Sequence, residues 1–162
     1  TAPHYLIMND MDLKEDGWYK MNPPIRSRQD QEALIEGILD GSVDMIATDH
    51  APHTLDEKNK GLKDSYFGIV GLETAFPLLY TKLVLEGVLS LEYLLKLMTT
   101  APRERFGIKR AASDFTIFNL ENEYEIRSEE FLTKGRAMPF EGEKVNGQCM
   151  LTLCNGKIAY RR

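Results

Sequence analysis

Cysteine is scarce in this chain: Cys149 and Cys154 are the only two among 162 residues. Their spacing is not C-x-x-C, and both lie in a segment that is typical of a β-hairpin. A disulfide or half of a metal site would be the functional interpretation, and two small core thiols would be the simpler one. We favour the core thiols, which would suit a reducing, cytoplasmic environment.

Long apolar stretches are missing as well. A membrane-spanning helix needs roughly 18 or more apolar residues in a row. The longest candidate, residues 72–97, is interrupted by charged residues such as Lys82, Glu86 and Glu92. The sequence therefore predicts no membrane association. The first residues also lack an initiator Met and an export signal, so we expect a chain that is entered midway.

Positive charge is not in excess, because 20 Lys and Arg residues face 25 Asp and Glu residues and the net charge is −5. This balance argues against a nucleic-acid partner. The chain is 43% hydrophobic and 28% charged, which is typical of a globular protein. Its length suits one domain, or parts of two.

Helix and strand signals alternate in residues 1–107, which predicts an α/β fold. Residues 4–8 (H-Y-L-I-M) form a short apolar run that predicts a buried strand. Residues 43–47 (V-D-M-I-A) predict a second strand, which delivers Asp49 at its carboxyl end. Residues 53–67 are polar, carry no apolar period and predict a long loop, of a length that is usually functional or disordered.

Capping signals predict four helices, over about residues 28–40, 72–87, 90–98 and 101–107. The first is the clearest, because Ser27 and Asp30 form a variant of the capping box and Gly41 is a natural stop. Pro77 is expected to kink the second helix or to shift its start.

The periodicity changes after residue 107, and residues 108–162 predict a β-rich tail. Residues 115–118 and 124–126 predict strands. Asn155 and Gly156 predict a type I′ turn that joins strands at 150–154 and 157–160 into a hairpin. The chain therefore divides into an α/β part and a β-rich part.

The stretch T-D-H-A-P-H at residues 48–53 is the best candidate for chemistry. A carboxylate at the end of an apolar strand, here Asp49, lies where α/β enzymes keep their active sites. It can bind a divalent cation and exchange a proton with water. His50 and His53 would surround the same opening. The simpler alternative is that Asp49 caps a turn and that the two histidines are polar loop residues.

A-T-D-H-A-P-H, together with N-P-P-I-R-S before it and F-G-I-V-G-L-E-T-A after it, resembles class I dihydroorotase of the amidohydrolase superfamily. The resemblance covers essentially the whole chain. It implies that residues 1–107 are the carboxyl-terminal part of a metal-dependent (β/α)8 barrel. It also implies that residues 108–162 belong to a small β-sandwich beside the barrel.

The resemblance also implies roles for five residues. Asp49 would be a metal ligand and the general base and acid, and Asn22 and His53 would contact the substrate. Phe67 and Gly68 would lay their backbone against the substrate ring. Taken alone, Asn22 could be a turn residue, Phe67 a core residue and Gly68 a hinge.

Two other histidines receive no ligand role. His50 follows the catalytic aspartate as a family feature only. His4 is interpreted as structural, because the last metal histidine of the family lies upstream of its segment.

The family reaction is the reversible interconversion of N-carbamoyl-L-aspartate and L-dihydroorotate in pyrimidine biosynthesis, at a site with two zinc ions. The chain has no H-x-H pair, and a closed barrel needs about 250 residues. We therefore expect a fragment that lacks most zinc ligands and is inactive alone.

The alternatives are a hydantoinase or dihydropyrimidinase, which His53 disfavours, and a metal-free scaffold for aspartate transcarbamoylase. A homodimer or a transcarbamoylase complex stays open.

Overall fold

The computed structural model describes residues 1–109 and 111–162, and its helices precede its longer strands. The α-helices are α1 Pro3–Ile7, α2 Arg28–Asp40, α3 Leu55–Lys58, α4 Gly61–Asp64, α5 Ala75–Leu79, α6 Leu91–Leu95 and α7 Ala101–Phe106. π-Helical turns at Tyr80–Val84 and Lys96–Thr100 continue α5 and α6, and 3-10 turns occur at Asp10–Asp12, Gly17–Tyr19 and Ser128–Glu130. The strands are β1 Phe115–Asn119, β2 Tyr124–Glu125, β3 Lys144–Val145, β4 Gln148–Cys154 and β5 Lys157–Arg161.

The predicted capping of α2 is confirmed. The Ser27 side chain accepts a hydrogen bond from the Asp30 backbone, and the Asp30 carboxylate accepts one from the Ser27 backbone. Gly41 ends the helix with φ 86°, a left-handed conformation that glycine adopts without strain. Pro77 lies in the first turn of α5, where its missing N–H has no helical acceptor to lose, so the helix starts late as expected.

The strand predicted for residues 4–8 is wrong, because these residues lie largely in helix α1. Pro3 at the first helical position fixes a helical φ. A short apolar run cannot by itself distinguish a buried helix from a buried strand. Leu6, in the middle of the run, is buried against α2 and α5 in the core.

The strand predicted for residues 43–47 is also wrong, since no hydrogen-bonded ladder forms there. Ile46 N–H donates to Leu97 C=O and Ala47 N–H donates to Thr1 C=O, so these donors bond to a helical turn and to the first residue. The nearest strand-like pairing is one parallel bridge between His50 and Ile69.

The predicted loop at residues 53–67 contains two one-turn helices, α3 and α4. Thr54 and Glu57 form a capping box at the start of α3. That signal is present in the sequence, but no apolar period accompanies it. The segment is therefore more ordered than its composition predicted.

The β-rich part contains an antiparallel three-stranded sheet, β1-β4-β5, and a two-stranded sheet, β2-β3. The predicted hairpin is confirmed, because Asn155 and Gly156 have φ 51° and 72° and join β4 to β5. Cys149 and Cys154 are free thiols, but Cys154 is exposed at the end of β4, so the prediction that both are core thiols is wrong.

Two clusters of buried side chains form the core. The first joins α1, α2, α5 and α6 through Leu6, Ile38, Leu79 and Leu94. The second combines residues of the first half with residues of the tail, namely Met8, Met21, Ile25, Ile69, Val70, Leu78, Ile126, Met138, Phe140 and Val145. The tail therefore packs on the segments that carry the candidate site. Within the described residues, no helix is long and apolar enough to cross a membrane.

Candidate active site

Asp49 has an unusual backbone conformation. Its φ is 53°, in the left-handed region, which costs a non-glycine residue about 1–2 kcal/mol. The residues that follow are fixed, because His50 bridges to Ile69 and Ala51 N–H donates to Ile69 C=O at 2.9 Å. The Asp49 side chain is 45% exposed. The backbone therefore turns at Asp49 and leaves its carboxylate accessible.

His4 lies against this carboxylate, with its Nε2 atom 3.6 Å from Asp49 Oδ2. The residue is only 1% exposed, and Nε2 has no hydrogen-bond partner. Burial lowers the pKa of His4 to about 4, so the ring is neutral at pH 7. Sequence analysis did not place His4 beside Asp49, because 44 other residues separate the two and no local pattern connects them.

Tyr5 connects Asp49 to the segment that contains Asn22. Its hydroxyl donates to Pro23 C=O at 2.7 Å. Burial, and to a lesser extent the Asp49 carboxylate, raises the pKa of Tyr5 to about 12. Asn22 itself is exposed, and the peptide bond between Asn22 and Pro23 is cis.

His53 and Gly68 are in direct contact. Gly68 has φ 147°, and a Cβ atom added there would overlap Ala51 C=O and lie 2.9 Å from His53 Cδ2. His53 Nδ1 lies 3.4 Å from Glu57 Oε2. A carboxylate can only accept, so Nδ1 is the donor in this contact, and Nε2 is left for another partner.

Phe67 is exposed by 54%, so it does not pack in the core. Lys20 Nζ lies 4.7 Å from the centre of its ring, which is a cation–π distance. The backbones of the same two segments are joined, because Gly68 N–H donates to Lys20 C=O at 3.0 Å. The segment that contains Asn22 therefore pairs with the segment that contains Phe67.

One ring nitrogen of His50 is occupied by hydrogen bonds within the protein. Its Nδ1 accepts from the backbone N–H groups of Gly71 and Leu72, at 3.1 and 3.3 Å. Nδ1 therefore carries no proton, and His50 holds the turn that leads into α5.

The contacts bring together three of the five predicted site residues. His53, Phe67 and Gly68 form one group around Lys20. Asp49 and Asn22 stand apart from it: the Asp49 charge acts on Tyr5, and Tyr5 donates to the carbonyl of Pro23, next to Asn22. Within residues 1–109 and 111–162, no hydrogen bond joins Asp49 or Asn22 directly to this group.

A metal ion would need more ligands than the described part of the chain brings together. Among the described residues, no three His, Cys, Asp or Glu side chains lie close enough together to hold one. The accessible oxygens of Asp49 suit one ligand position on a divalent cation. The residues described therefore offer a divalent cation one carboxylate ligand, Asp49, and do not form a complete metal site by themselves.

Comparisons with known proteins identify close relatives. No family model matches the chain. It is 48% identical, over a 170-residue alignment, to a dihydroorotase from Ligilactobacillus salivarius, with 100% of this chain and 40% of that protein covered. It is 51% identical to a dihydroorotase from Fusobacterium nucleatum, with 99% of this chain and 39% of that protein covered. The chain spans about 40% of the length of these curated relatives.

Solved structures share the fold. An L-hydantoinase (dihydropyrimidinase) from Arthrobacter aurescens superimposes with a TM-score of 0.90 at 31% identity, with 99% of this chain and 38% of that chain covered. An inactive dihydroorotase-like domain of a Chaetomium thermophilum CAD-like multifunctional protein gives a TM-score of 0.71 at 21% identity, with 98% and 42% covered. At that identity the second likeness shows the fold alone.

Proposed function

Because this chain belongs to the dihydroorotase family, we propose that it forms part of an enzyme that interconverts N-carbamoyl-L-aspartate and L-dihydroorotate. The observation that carries the proposal is the conformation of Asp49. Its backbone is held in a left-handed turn, and its carboxylate is exposed beside segments that offer polar and aromatic groups. A carboxylate that is held by a fixed backbone and stays accessible is suited to acid–base chemistry.

In the hydrolytic direction, Asp49 accepts the proton of the attacking water and returns it to the amide nitrogen that leaves the ring. A general acid–base group of this kind contributes roughly 10²–10⁴-fold to a rate. A centre of two zinc ions would supply Lewis-acid activation of the ring carbonyl and of the water, and Asp49 is the ligand that this chain offers. The neutral His4 ring shields one side of the carboxylate from water without neutralising its charge.

Substrate binding falls to the remaining four residues. The Asn22 amide and His53 Nε2 provide hydrogen-bonding groups for a ring that carries amides and a carboxylate. Gly68 already uses its N–H and its C=O within the protein, so its Cα would contact the ring through van der Waals forces. The polar contacts of this pair would then come from the peptide groups of Phe67.

We also propose the domain division at residue 107. Residues 1–107 would complete the carboxyl-terminal part of an amidohydrolase barrel, which the helix-rich order up to α7 supports. Residues 108–162 would contribute strands to a β-sandwich, which the β1-β4-β5 sheet supports.

The test is a substrate profile of the full-length protein. Dihydroorotate and carbamoyl aspartate are expected to be converted, and hydantoin is expected to be a poor substrate. The likeness to an L-hydantoinase at 31% identity favours hydantoin hydrolysis as the second candidate. Turnover of hydantoin without turnover of dihydroorotate would replace the first proposal by the second. A full-length protein free of metal and of both activities would support a scaffold instead.

A further inference from the structure

Lys58 is the most unusual buried group outside the proposed reaction. It lies at the end of α3, within the loop of residues 53–68, and is 0% exposed. Lysine is almost never fully buried unless it is paired. Among the described residues, no carboxylate forms an ion pair with Lys58.

Three backbone carbonyl groups surround its ammonium instead. Lys58 Nζ donates to Lys20 C=O at 2.9 Å, to Tyr66 C=O at 2.9 Å and to Gly68 C=O at 2.7 Å. An ammonium group has three N–H donors, so all of them are used. A neutral amine would leave one carbonyl without its donor.

The three carbonyls belong to the segments that carry the proposed substrate contacts. Lys20 precedes Asn22 by two residues, and Tyr66 and Gly68 flank Phe67. We propose that Lys58 is a positioning residue of this active site, which fixes the Asn22 segment and the Phe67–Gly68 pair relative to each other. This inference rests on the proposed function.

The surrounding contacts explain why one side chain can hold both segments. Gly68 N–H also donates to Lys20 C=O, so the two segments already touch at one point. One hydrogen bond leaves rotation about that point free, and the ammonium adds three bonds with different directions. Burial, and next the charge of Lys20, lowers the pKa of Lys58 to about 8, so the group still carries its third proton at pH 7.

The experiment compares Lys58→Met with Lys63→Met in the full-length enzyme. Methionine keeps an apolar stem of similar length but removes the donors, and Lys63 is an exposed lysine of the same loop. For Lys58→Met we expect kcat/KM for dihydroorotate to fall by about 10–100-fold, mainly through KM, because small displacements of binding groups are costly. Metal content is expected to stay unchanged. Lys63→Met is expected to behave as wild type.

Two measurements separate positioning from a merely structural role. Hydrogen exchange of Lys58→Met should accelerate in residues 20–22 and 66–69 and stay unchanged in residues 43–50. In Lys58→Ala, added propylammonium should lower KM, whereas propanol should not. If Lys58→Met does not fold, Lys58→Gln replaces it, since its amide keeps two donors.

The outcomes distinguish this inference from the proposed function. Unchanged KM with unchanged exchange in the two segments would overturn the role of Lys58, and so would a loss of kcat that accompanies loss of metal. A wild-type enzyme without dihydroorotase activity would overturn the proposed function. The hydrogen-exchange comparison would then still decide whether Lys58 holds the two segments together.

Discussion

The segment around Asp49 and the loop of residues 53–68 are stabilised in different ways. Asp49 is fixed through the backbone of the two residues that follow it, while its carboxylate meets one neutral ring and is otherwise open. The loop is held by its own side chains, through the Thr54–Glu57 capping box and the buried Lys58. Backbone contacts therefore hold the Asp49 segment, and side-chain contacts hold the loop.

This difference predicts that Asp49 serves the chemical step and that the loop serves substrate binding. A carboxylate that lacks local hydrogen bonds is free to bind a cation and to exchange a proton. Groups that must recognise a substrate gain from being fixed beforehand, because the entropy of ordering them is then not lost on binding. We therefore expect substitutions at Asp49 to change kcat and substitutions in the loop to change KM.

The largest effect is expected for Asp49→Asn in the full-length enzyme. Asparagine tolerates the left-handed backbone, so the fold should be retained while the proton acceptor is lost. We expect kcat to fall by about 10²–10⁴-fold. Steady-state kinetics in both directions would measure it, and the melting temperature would serve as the control. A kcat close to that of the wild type would contradict the assignment of Asp49.

Gly68→Ala is expected to have the second largest effect. Its Cβ would overlap Ala51 C=O and crowd the His53 ring, so the backbone must move at the binding surface. We expect a loss of stability of about 1–3 kcal/mol and a rise in KM. Gly87→Ala is the matched control, because Gly87 has φ 75° but no atom within 4 Å of the added Cβ. A Gly68→Ala variant that is no less stable than Gly87→Ala and keeps its KM would contradict the importance of the overlap with Ala51 and His53.

The pH dependence should separate the two regions further. As the pH rises through about 8, Lys58 loses its proton, and with it one of the three donors that hold the loop. We expect KM to rise between pH 7 and 9 in the wild type and to be flat in Lys58→Met. The charges of Lys20 and Asp16 also act on the pKa of Lys58, so neither residue is substituted in this experiment.

The stability of the fold should increase over pH values at which substrate binding weakens. The pKa of Lys58 is lower in the folded chain than the ordinary value of 10.5, so the unfolded chain binds more protons between pH 8 and 10.5. This group therefore makes folding more favourable as the pH rises through that window. Denaturant unfolding at both ends of the window, compared with Lys58→Met, would measure it. A loss of stability over that window, relative to Lys58→Met, would contradict the assignment.

Local signals in the sequence predicted much of the fold. Ser27 and Gly41 set the limits of α2, and Asn155 and Gly156 set the turn between β4 and β5. Each of these features depends on a few consecutive residues, so the sequence alone contains the information. The apolar run at residues 4–8 does not by itself distinguish a strand from a helix, and Pro3 favours the helix α1 that forms there.

The neighbours of the candidate residues could not be predicted in the same way. His4 meets Asp49, and Lys58 meets Lys20, only because distant segments pack together. A buried lysine looks like any exposed lysine in a polar loop. The absent ladder at residues 43–47 has a similar cause, because a strand forms only where another segment supplies its hydrogen bonds.

The smallest effect is expected for Glu57→Gln, which tests the 3.4 Å contact between His53 and Glu57. Glutamine keeps the acceptor of the capping box but removes the charge that faces His53 Nδ1. A hydrogen bond to a charged acceptor is stronger than one to a neutral acceptor by roughly 1 kcal/mol, so KM should rise only about fivefold. The kcat value should not change, since Glu57 touches neither Asp49 nor the reacting amide. A change in kcat without a change in KM would mean that the loop takes part in the chemical step, and the contrast between the two regions would then fail.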